Sequence, residues 1–310
     1  MPIDPDVREF LEGLNASGLF PATGEPRDVR TRCSGAPVAA MEGVRRIEDL
    51  DIENGDGRLR LRVYSGNDDD RAPVVLAFHG GGWVIGDLLF MEGQCRQLAN
   101  AVGCRVVSVE YRLAPEHRYP AAAEDAFTAL VHVAEHADAF GIDPERIAAY
   151  GQSAGGNLVA ALALMTRDRG GPPLRLQVPV YPVIDADFER PSYREWGDGP
   201  GLTRAQMEWY WDNYVDPEDR SQPYVSPIHA STLAGVAPAF VVTAEADPLQ
   251  SEGEAYADRL IADGVLATHR MYAGMHHGFM NLTQMFPKSK QAFDDVVVAL
   301  RTAFGTNDAP

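Results

Sequence analysis

Short apolar runs alternate with helix-period segments along most of this chain. The runs that predict strands are Leu59 to Tyr64, Val74 to Phe78, Arg105 to Glu110, Ile147 to Tyr150, Leu176 to Val180, Phe240 to Thr243 and Ala267 to Tyr272. Several of these runs, such as VVLAF and FVVTA, are apolar without a break. Unbroken apolar strands are typical of a parallel sheet that is covered on both faces.

The segments between the runs carry the period of amphipathic helices. One of them places four side chains on a single helical face: Met91, Cys95, Leu98 and Val102. Gly103 follows as a terminator, and Ala154 to Arg167 and Lys288 to Phe304 have a similar pattern. Strands and helices in this order predict an α/β fold, with a doubly wound sheet between helices.

Two stretches depart from this alternation, and they predict a small helical cap. The first is residues 1–43, and the second is an insertion rich in Pro, Trp and Asp at residues 186–225. The α/β domain then consists of residues 44–185 and 226–310. A cap beside a sheet domain is expected to cover a binding site, and the alternative is that its aromatic residues only anchor a surface helix.

Composition and charge narrow the function classes. The chain has 310 residues and a formal net charge of −18, which repels phosphate backbones and anionic lipid. We therefore expect neither nucleic-acid binding nor stable membrane association. The three cysteines form no CxxC or Cys/His cluster, and this predicts inert thiols and no metal site. With no signal-peptide pattern and no apolar run of about 20 residues, the sequence predicts a soluble, cytoplasmic protein.

The sharpest chemical signal is a GxSxG motif that follows an apolar run and opens a helix. It reads Gly151-Gln152-Ser153-Ala154-Gly155. Small residues on both sides allow the chain to turn sharply from strand to helix and to hold the serine on an exposed elbow. We therefore predict Ser153 as a nucleophile, supported by Gly151, Gln152 and Gly155.

A serine hydroxyl needs a general base, and the base needs an acid that fixes its tautomer. Candidates lie downstream, each after a predicted strand, where open α/β sheets place their sites. We favour His277 over the adjacent His276 as the base. We favour Asp247 over Glu245 and Glu252 as the acid, with Glu252 as a supporting residue. The chain order of serine, aspartate and histidine is that of α/β-hydrolases.

Acyl transfer also needs hydrogen-bond donors for the developing oxyanion. The sequence His79-Gly80-Gly81-Gly82-Trp83 follows the predicted third strand, and its glycines allow backbone amides to approach a substrate. We assign the oxyanion hole to the amides of Gly81, Gly82 and Ala154. His79 is expected to orient this loop through hydrogen bonds.

Aromatic residues around these motifs predict an apolar substrate pocket. In the insertion, Thr203 and Gln206 form a capping box that begins an aromatic helix. The predicted pocket residues are Trp83, Tyr181, Trp209, Tyr210 and Tyr214.

These residues resemble the hormone-sensitive lipase family of α/β-hydrolases, the bacterial carboxylesterases with an HGGG motif ahead of the nucleophile. The resemblance runs from about Pro73 to Phe279 and rests on four motifs in order: HGGGW at His79, YRLAPEHRYPAA at Tyr111, GQSAGGN at Gly151, and ADPL with HHGF at Asp247 and His276. It implies an eight-stranded, mostly parallel sheet with a helical cap and hydrolysis of short- to medium-chain acyl esters. It also implies no cofactor, frequent homodimers through an edge strand, and a bracing role for Tyr111, Arg112 and Glu116.

Two departures from the family pattern concern charge beside the site. Gln152 stands where the family usually has Asp or Thr, and the chain reads DPLQSEG where the family has DPLRDEG. Neither departure removes a predicted catalytic group, so the predicted function is a serine carboxylesterase acting on a small ester. An amidase or acyltransferase with the same three residues is the alternative, and a non-catalytic small-molecule receptor is a remote one.

Overall fold

The computed structural model describes residues 3–17, 23–33, 41–55, 57–199 and 201–306. Its strands are β1 Arg46–Asn54, β2 Gly57–Ser65, β3 Ala72–Phe78, β4 Arg105–Glu110, β5 Ile142–Gln152, β6 Leu176–Val180, β7 Ala239–Ala246 and β8 Ala267–His276. Its α-helices are α1 Pro5–Ser17, α2 Pro26–Cys33, α3 Glu92–Val102, α4 Ala121–Glu135, α5 Ala137–Phe140, α6 Ala154–Arg169, α7 Pro191–Trp196, α8 Arg204–Tyr214, α9 Gln250–Ala262 and α10 Pro287–Phe304. None of these described helices has the length and apolar character needed to cross a bilayer.

The strands of the described residues form one eight-stranded sheet in the order β1-β2-β4-β3-β5-β6-β7-β8. Strand β2 runs antiparallel to both of its neighbours, and the pairs from β4 to β8 are parallel. The predicted eight-stranded, mostly parallel α/β sheet is confirmed. The carboxyl ends of the parallel strands therefore meet at one edge, where the chemical motifs lie.

Two apolar cores cover the faces of the sheet. In β3, Val74 and Leu76 belong to one core and Val75 to the other, because successive side chains of a strand point to opposite faces. Helices α4, α6 and α9 supply the first core, and α3 and α10 supply the second. This arrangement explains the unbroken apolar runs, since a strand between two helical layers is buried on both sides.

Strand β1 lies at an edge of the sheet and was not predicted. Most of its residues are exposed, so it lacks an apolar signature. Its pairing with β2 places Asp49 opposite Arg62 and Asp51 opposite Arg60. Arg62 holds Asp49 through two hydrogen bonds of 2.6 and 2.7 Å. Opposite charges across the pair thus contribute to a strand that little burial supports.

The N-terminal helices pack against the edge of the sheet that carries the motifs. In α1, Val7 and Leu11 are fully buried, and the amide of Asp4 donates to the carbonyl of Gly274 at 3.3 Å. In α2, the Arg30 guanidinium donates to the carbonyl of Val84 at 2.6 Å. Within the two stretches predicted as a cap, residues 1–2, 18–22, 34–40 and 200 lie outside the described part of the chain.

Candidate active site

Ser153 stands on a strained turn between β5 and α6. Its φ of 55° and ψ of −117° lie in a region that non-glycine residues rarely occupy. Backbone hydrogen bonds hold this turn. The amide of Ser153 donates to the carbonyl of Val180 at 2.9 Å, and the carbonyl of Ser153 accepts from the amides of Asn157 and Val183. The surrounding structure thus fixes the serine at the N-terminus of a helix, as the GxSxG motif predicted.

The glycines of the elbow are required by close backbone packing. A Cβ on Gly155 would lie 2.0 Å from the carbonyl oxygen of Phe78, and a Cβ on Gly151 would lie 2.2 Å from that of Gly155. These distances are far below normal contact, so side chains there would force β5, α6 and the end of β3 apart. The same tight packing brings Gly80 to Ser153, since a Cβ on Gly80 would be 3.5 Å from the serine Cβ.

His277 and Asp247 form a direct pair. His277 Nδ1 lies 2.8 Å from Asp247 Oδ2, and the aspartate side chain is fully buried. The other carboxylate oxygen, Oδ1, accepts from the amide of Leu249 at 2.9 Å, which fixes its orientation just beyond β7. A carboxylate with no acidic proton accepts only, so the proton of this contact lies on Nδ1 and leaves Nε2 as the basic nitrogen.

The alternative candidates for the acid and the base have other hydrogen-bond partners. Glu245 accepts from the amide of Gly274 at 2.7 Å. Glu252 accepts from the amides of Ile184 and Asp185 through Oε2, and burial raises its pKa well above the ordinary value. His276 contacts the carbonyl of His277 through Nδ1. The geometry therefore favours His277 and Asp247 among the residues left open by the sequence, and it gives Glu252 a supporting position beside the loop after β6.

Tyr181 connects the serine and histidine segments. It follows Val180, the residue that holds the Ser153 amide, and its ring lies 4.7 Å from that of His277 between centroids. Ser153 Oγ makes no direct hydrogen bond to His277 within the described part of the chain. Contacts between a nucleophile and its base are often long in a site without substrate and commonly tighten when substrate binds.

The HGGGW loop is anchored by its histidine. His79 stacks on Tyr111 with ring centroids 4.2 Å apart, and the Tyr111 hydroxyl donates to the His79 carbonyl at 2.8 Å. Burial lowers the pKa of His79 to about 4, so this ring stays neutral and supports the loop. The loop-orienting role predicted for His79 agrees with these contacts.

Positive φ angles shape the next residues of the loop. Gly81 has a φ of 117° and Gly82 a φ of 58°, and a Cβ on Gly82 would lie 2.1 Å from the Tyr210 ring. In the part of the chain that the structure describes, the amides of Gly81 and Gly82 donate to no protein acceptor. The amide of Ala154 is at the first position of α6, where helix geometry leaves donors unpaired. These three donors are suited to binding an oxyanion.

Three of the predicted pocket residues, Trp83, Tyr181 and Tyr214, are buried. Trp83 and Tyr214 stack on each other, with centroids 4.0 Å apart and planes 5° apart. These two rings join the HGGGW loop to α8, and the pocket role of all three residues stays a prediction. Trp209 and Tyr210 are partly exposed on α8 beside the loop, and they remain candidates for contact with a substrate.

Two residues of the YRLAPE segment, Arg112 and Glu116, have charged partners on helices α4 and α2. Arg112 donates to the fully buried carboxylate of Asp125 from its backbone amide and guanidinium, each at 2.7 Å. Glu116 accepts two hydrogen bonds, of 2.8 and 2.6 Å, from Arg30 of α2. The supports that the resemblance implied thus have concrete partners, one of which is on the N-terminal helix.

The fold and the site geometry agree with a known family. Residues 75–281 match the sequence profile of a family described as having the alpha/beta hydrolase fold. The chain belongs to the α/β-hydrolase family. The resemblance to its hormone-sensitive lipase branch is also confirmed, because similar proteins include several named as carboxylesterases or esterases.

Relatives of this α/β-hydrolase match nearly its whole length. Carboxylesterase NlhH of Mycobacterium tuberculosis is 42% identical, with 97% of this chain and 96% of the relative covered. Ethyl acetate hydrolase of Pseudomonas putida is 35% identical, with 97% and 99% covered. The structure of a hyperthermophilic esterase from Pyrobaculum calidifontis has a TM-score of 0.90 at 38% identity, with 97% of this chain and 99% of that chain covered.

Two residues that the sequence motifs did not indicate lie beside the candidate site of this hydrolase. Gln94 of α3 contacts Gln152, and Phe10 of α1 lies 6.0 Å from the ring of His276. Neither residue belongs to a motif, so only the fold brings them to the site. Among the described residues, no group of three metal-binding side chains occurs.

Acid should destabilise this α/β-hydrolase through buried histidines. Burial lowers the pKa of His276 to about 4, whereas an unfolded histidine has a pKa of about 6.5. Between these values the unfolded state binds more protons, so the stability of the folded state falls as the pH falls through this window. The wild type should therefore have a lower free energy of unfolding at pH 4.5 than at pH 7.5. We expect His276→Gln to make this loss about 2 kcal/mol smaller.

Urea unfolding at the two pH values measures this effect. The exposed His117 provides a matched control, since His117→Gln leaves the buried ring in place. Equal acid sensitivity in wild type and His276→Gln would contradict the assignment.

Proposed function

We propose that the protein is a serine carboxylesterase in which Ser153, Asp247 and His277 act as nucleophile, acid and general base. The observation that carries the proposal is the 2.8 Å contact between His277 Nδ1 and the buried Asp247, beside a serine on a strained elbow. The aspartate holds the imidazole in the tautomer whose Nε2 accepts a proton. An activated serine of this kind is suited to acyl transfer.

The reaction proceeds in two halves. In the first, His277 removes the proton of Ser153 Oγ as the oxygen attacks the ester carbonyl, and the amides of Gly81, Gly82 and Ala154 bind the oxyanion. The histidine then returns the proton to the leaving alcohol, and an acyl-enzyme remains. In the second half, His277 takes a proton from water as the water oxygen attacks the acyl carbon. It returns this proton to Ser153 Oγ when the acyl–oxygen bond breaks and the carboxylic acid leaves. The chemistry requires no cofactor.

We propose short- to medium-chain acyl esters as substrates. The names of the relatives support this choice, since one is an ethyl acetate hydrolase and another an arylesterase. The partly exposed Trp209 and Tyr210 lie on α8 beside the HGGGW loop, where an acyl or alcohol group would contact them. We propose that α1, α2 and the segment containing α7 and α8 form a cap over this site.

A chain-length series tests the substrate class. We expect p-nitrophenyl acetate to hexanoate to be hydrolysed faster than the palmitate, because a pocket bounded by a loop and one helix holds a limited apolar chain. Steady-state kcat/KM across the series gives the profile. A maximum at palmitate would overturn the short-chain proposal.

Matched amides distinguish the main alternative. An amidase or acyltransferase would use the same three residues, and it would hydrolyse a p-nitroanilide or acylate an added alcohol at least as well as it hydrolyses the matched ester. We expect the ester to be turned over much faster than the anilide. Tight binding of esters without any turnover would instead support a receptor.

Two further features stay predictions. We propose a homodimer that pairs through an edge strand, for which β8 is available at the end of the sheet. Light scattering during gel filtration would give the mass of the particle.

We also propose a cytoplasmic location, supported by three buried thiols whose pKa values burial raises.

A further inference from the structure

A buried chain of hydrogen bonds runs beneath the serine elbow. The Tyr181 hydroxyl donates to Gln152 Oε1 at 2.6 Å. Gln152 Nε2 donates to Gln94 Oε1, and Gln94 Nε2 donates to the backbone carbonyl of Met280. Tyr150 joins the chain, since its hydroxyl accepts from Gln152 at 3.1 Å and donates to Gln94 at 3.0 Å. All four side chains are at most 5% exposed.

Both ends of this chain reach the segment that carries His277. At one end, the ring of Tyr181 lies against the His277 ring, 4.7 Å away between centroids. At the other end, Gln94 anchors the carbonyl of Met280, three positions after the histidine in a 3-10 turn. In the middle, Gln152 is covalently attached to Ser153. The chain therefore links the backbone of the nucleophile to the ring and the loop of the base.

The directions of the hydrogen bonds in this network require an amide side chain at position 152. Gln152 accepts a hydrogen bond from Tyr181 and donates one to Gln94. Gln94 presents an oxygen because its nitrogen is engaged by Met280. An ionised carboxylate at position 152 would accept from Tyr181 but would face the Gln94 oxygen with no proton to donate. A buried network with an unpaired polar group of this kind lowers the stability of the folded protein.

Tyr181 itself is held in an unusual backbone conformation. Its φ of 33° lies in the left-handed region, and its amide donates to the carbonyl of Val242 at 2.6 Å. A β-region conformation would turn its side chain elsewhere, so the hydroxyl contact with Gln152 and the ring contact with His277 depend on this geometry.

We propose that Gln152 is a positioning residue that sets the distance between Ser153 and His277 through Tyr181 and Gln94. This inference rests on the proposed function and goes beyond it, since Gln152 is buried beneath the elbow and is none of the three proposed reacting groups. It assigns a role to a position where the sequence departs from its family. Loss of the amide releases the Tyr181 hydroxyl and frees Gln94, which holds the loop after His277 through the carbonyl of Met280.

The kinetic test compares Gln152→Leu and Tyr181→Phe with the wild type. We expect each to lower kcat about tenfold with little change in KM, because a small displacement of a reacting group is costly in the transition state. The double variant should lose no more than either single one, since both break the same chain. Additive losses, or an unchanged kcat in Gln152→Leu, would overturn the proposal.

Gln177 offers a matched control for burial and hydrogen bonding. It is fully buried in β6, accepts from the Tyr256 hydroxyl at 2.8 Å, and donates to the carbonyl of Ala237 at 2.7 Å. Gln177→Leu therefore breaks a similar chain without contact with the histidine loop. It should lower the unfolding temperature but leave kcat per active site at the wild-type value, with sites counted by organophosphate titration.

A pH-dependent rescue separates positioning from general damage to the fold. A carboxyl group at position 152 carries both a donor and an acceptor when protonated, and burial favours that form. The ratio of kcat for Gln152→Glu to wild-type kcat should rise as the pH falls from about 8.5 to about 6, while the ratio for Gln152→Leu stays flat. A flat ratio for both variants would contradict the role of the amide.

One readout does not depend on turnover. The proton on Nδ1 of His277, bonded to Asp247, is observable by proton NMR at low field. Gln152→Leu should shift or broaden this signal, and Gln177→Leu should not. If the wild type hydrolyses no ester, the proposed function fails while this signal still tests the positioning role; if the wild type is active and the signal and kcat are both unaffected, the positioning role fails alone.

Discussion

Ser153→Ala is expected to lower ester turnover by a factor of about 10⁴ to 10⁶ while leaving the fold intact. The variant lacks the serine oxygen that bonds to the acyl group, so no acyl-enzyme can form at this position. The fold should survive because the elbow is held by the backbone of Ser153, through its hydrogen bonds to Val180, Asn157 and Val183. Hydrolysis of p-nitrophenyl acetate and the thermal unfolding temperature measure the two properties separately.

The exposed Ser221 provides the matched control for this loss. Ser221→Ala makes the same chemical change on the surface and should retain wild-type turnover. An organophosphate should add its mass to wild type and to Ser221→Ala, and not to Ser153→Ala. If Ser153→Ala kept wild-type activity, a different nucleophile would be at work and the proposed mechanism would be wrong.

Asp247→Asn is expected to lower kcat by about 10⁴ with a much smaller effect on KM. The asparagine oxygen can still accept from Leu249, as Asp247 Oδ1 does at 2.9 Å. Its amide nitrogen then faces His277 Nδ1 and donates to it, which moves the imidazole proton to Nε2. A histidine in that tautomer has no lone pair at Nε2 to accept the serine proton.

Glu245→Gln is the matched control, because it changes a carboxylate to an amide two residues away. Glu245 accepts from the amide of Gly274 at 2.7 Å, a contact that glutamine can keep through its oxygen. This variant should remain near wild-type activity in steady-state assays. A large loss in Glu245→Gln together with a small one in Asp247→Asn would exchange the roles of the two acids.

Much of the fold was predictable because burial leaves a clear mark on the sequence. Runs such as Val74 to Phe78 are apolar throughout because helices cover both faces of the sheet. Strand β1 was missed for the opposite reason, since it is exposed at an edge and pairs through charges such as Asp49 with Arg62. Only the partner strand shows which of its charges are paired.

The site was predictable where local backbone geometry demands particular residues. The elbow and the HGGGW loop need glycine because a Cβ at Gly155 or Gly82 would overlap neighbouring atoms. The pocket was less predictable, because an aromatic residue fits equally well in a core and beside a substrate. Trp83 and Tyr214, for example, stack on each other with ring centroids 4.0 Å apart. The link from Gln152 to Gln94 joins distant segments and left no local pattern.

The contacts of the first two helices bear on the order in which the protein folds during synthesis. The Arg30–Glu116 pair can form once the first part of the chain has been made, whereas Asp4 reaches Gly274 only after most of it has been made. Domains generally begin to fold while the ribosome is still translating, but the contact of Asp4 spans most of this sequence. A nascent chain that stops before β8 lacks Gly274, the partner of Asp4, so α1 can take its place against the sheet only late in synthesis.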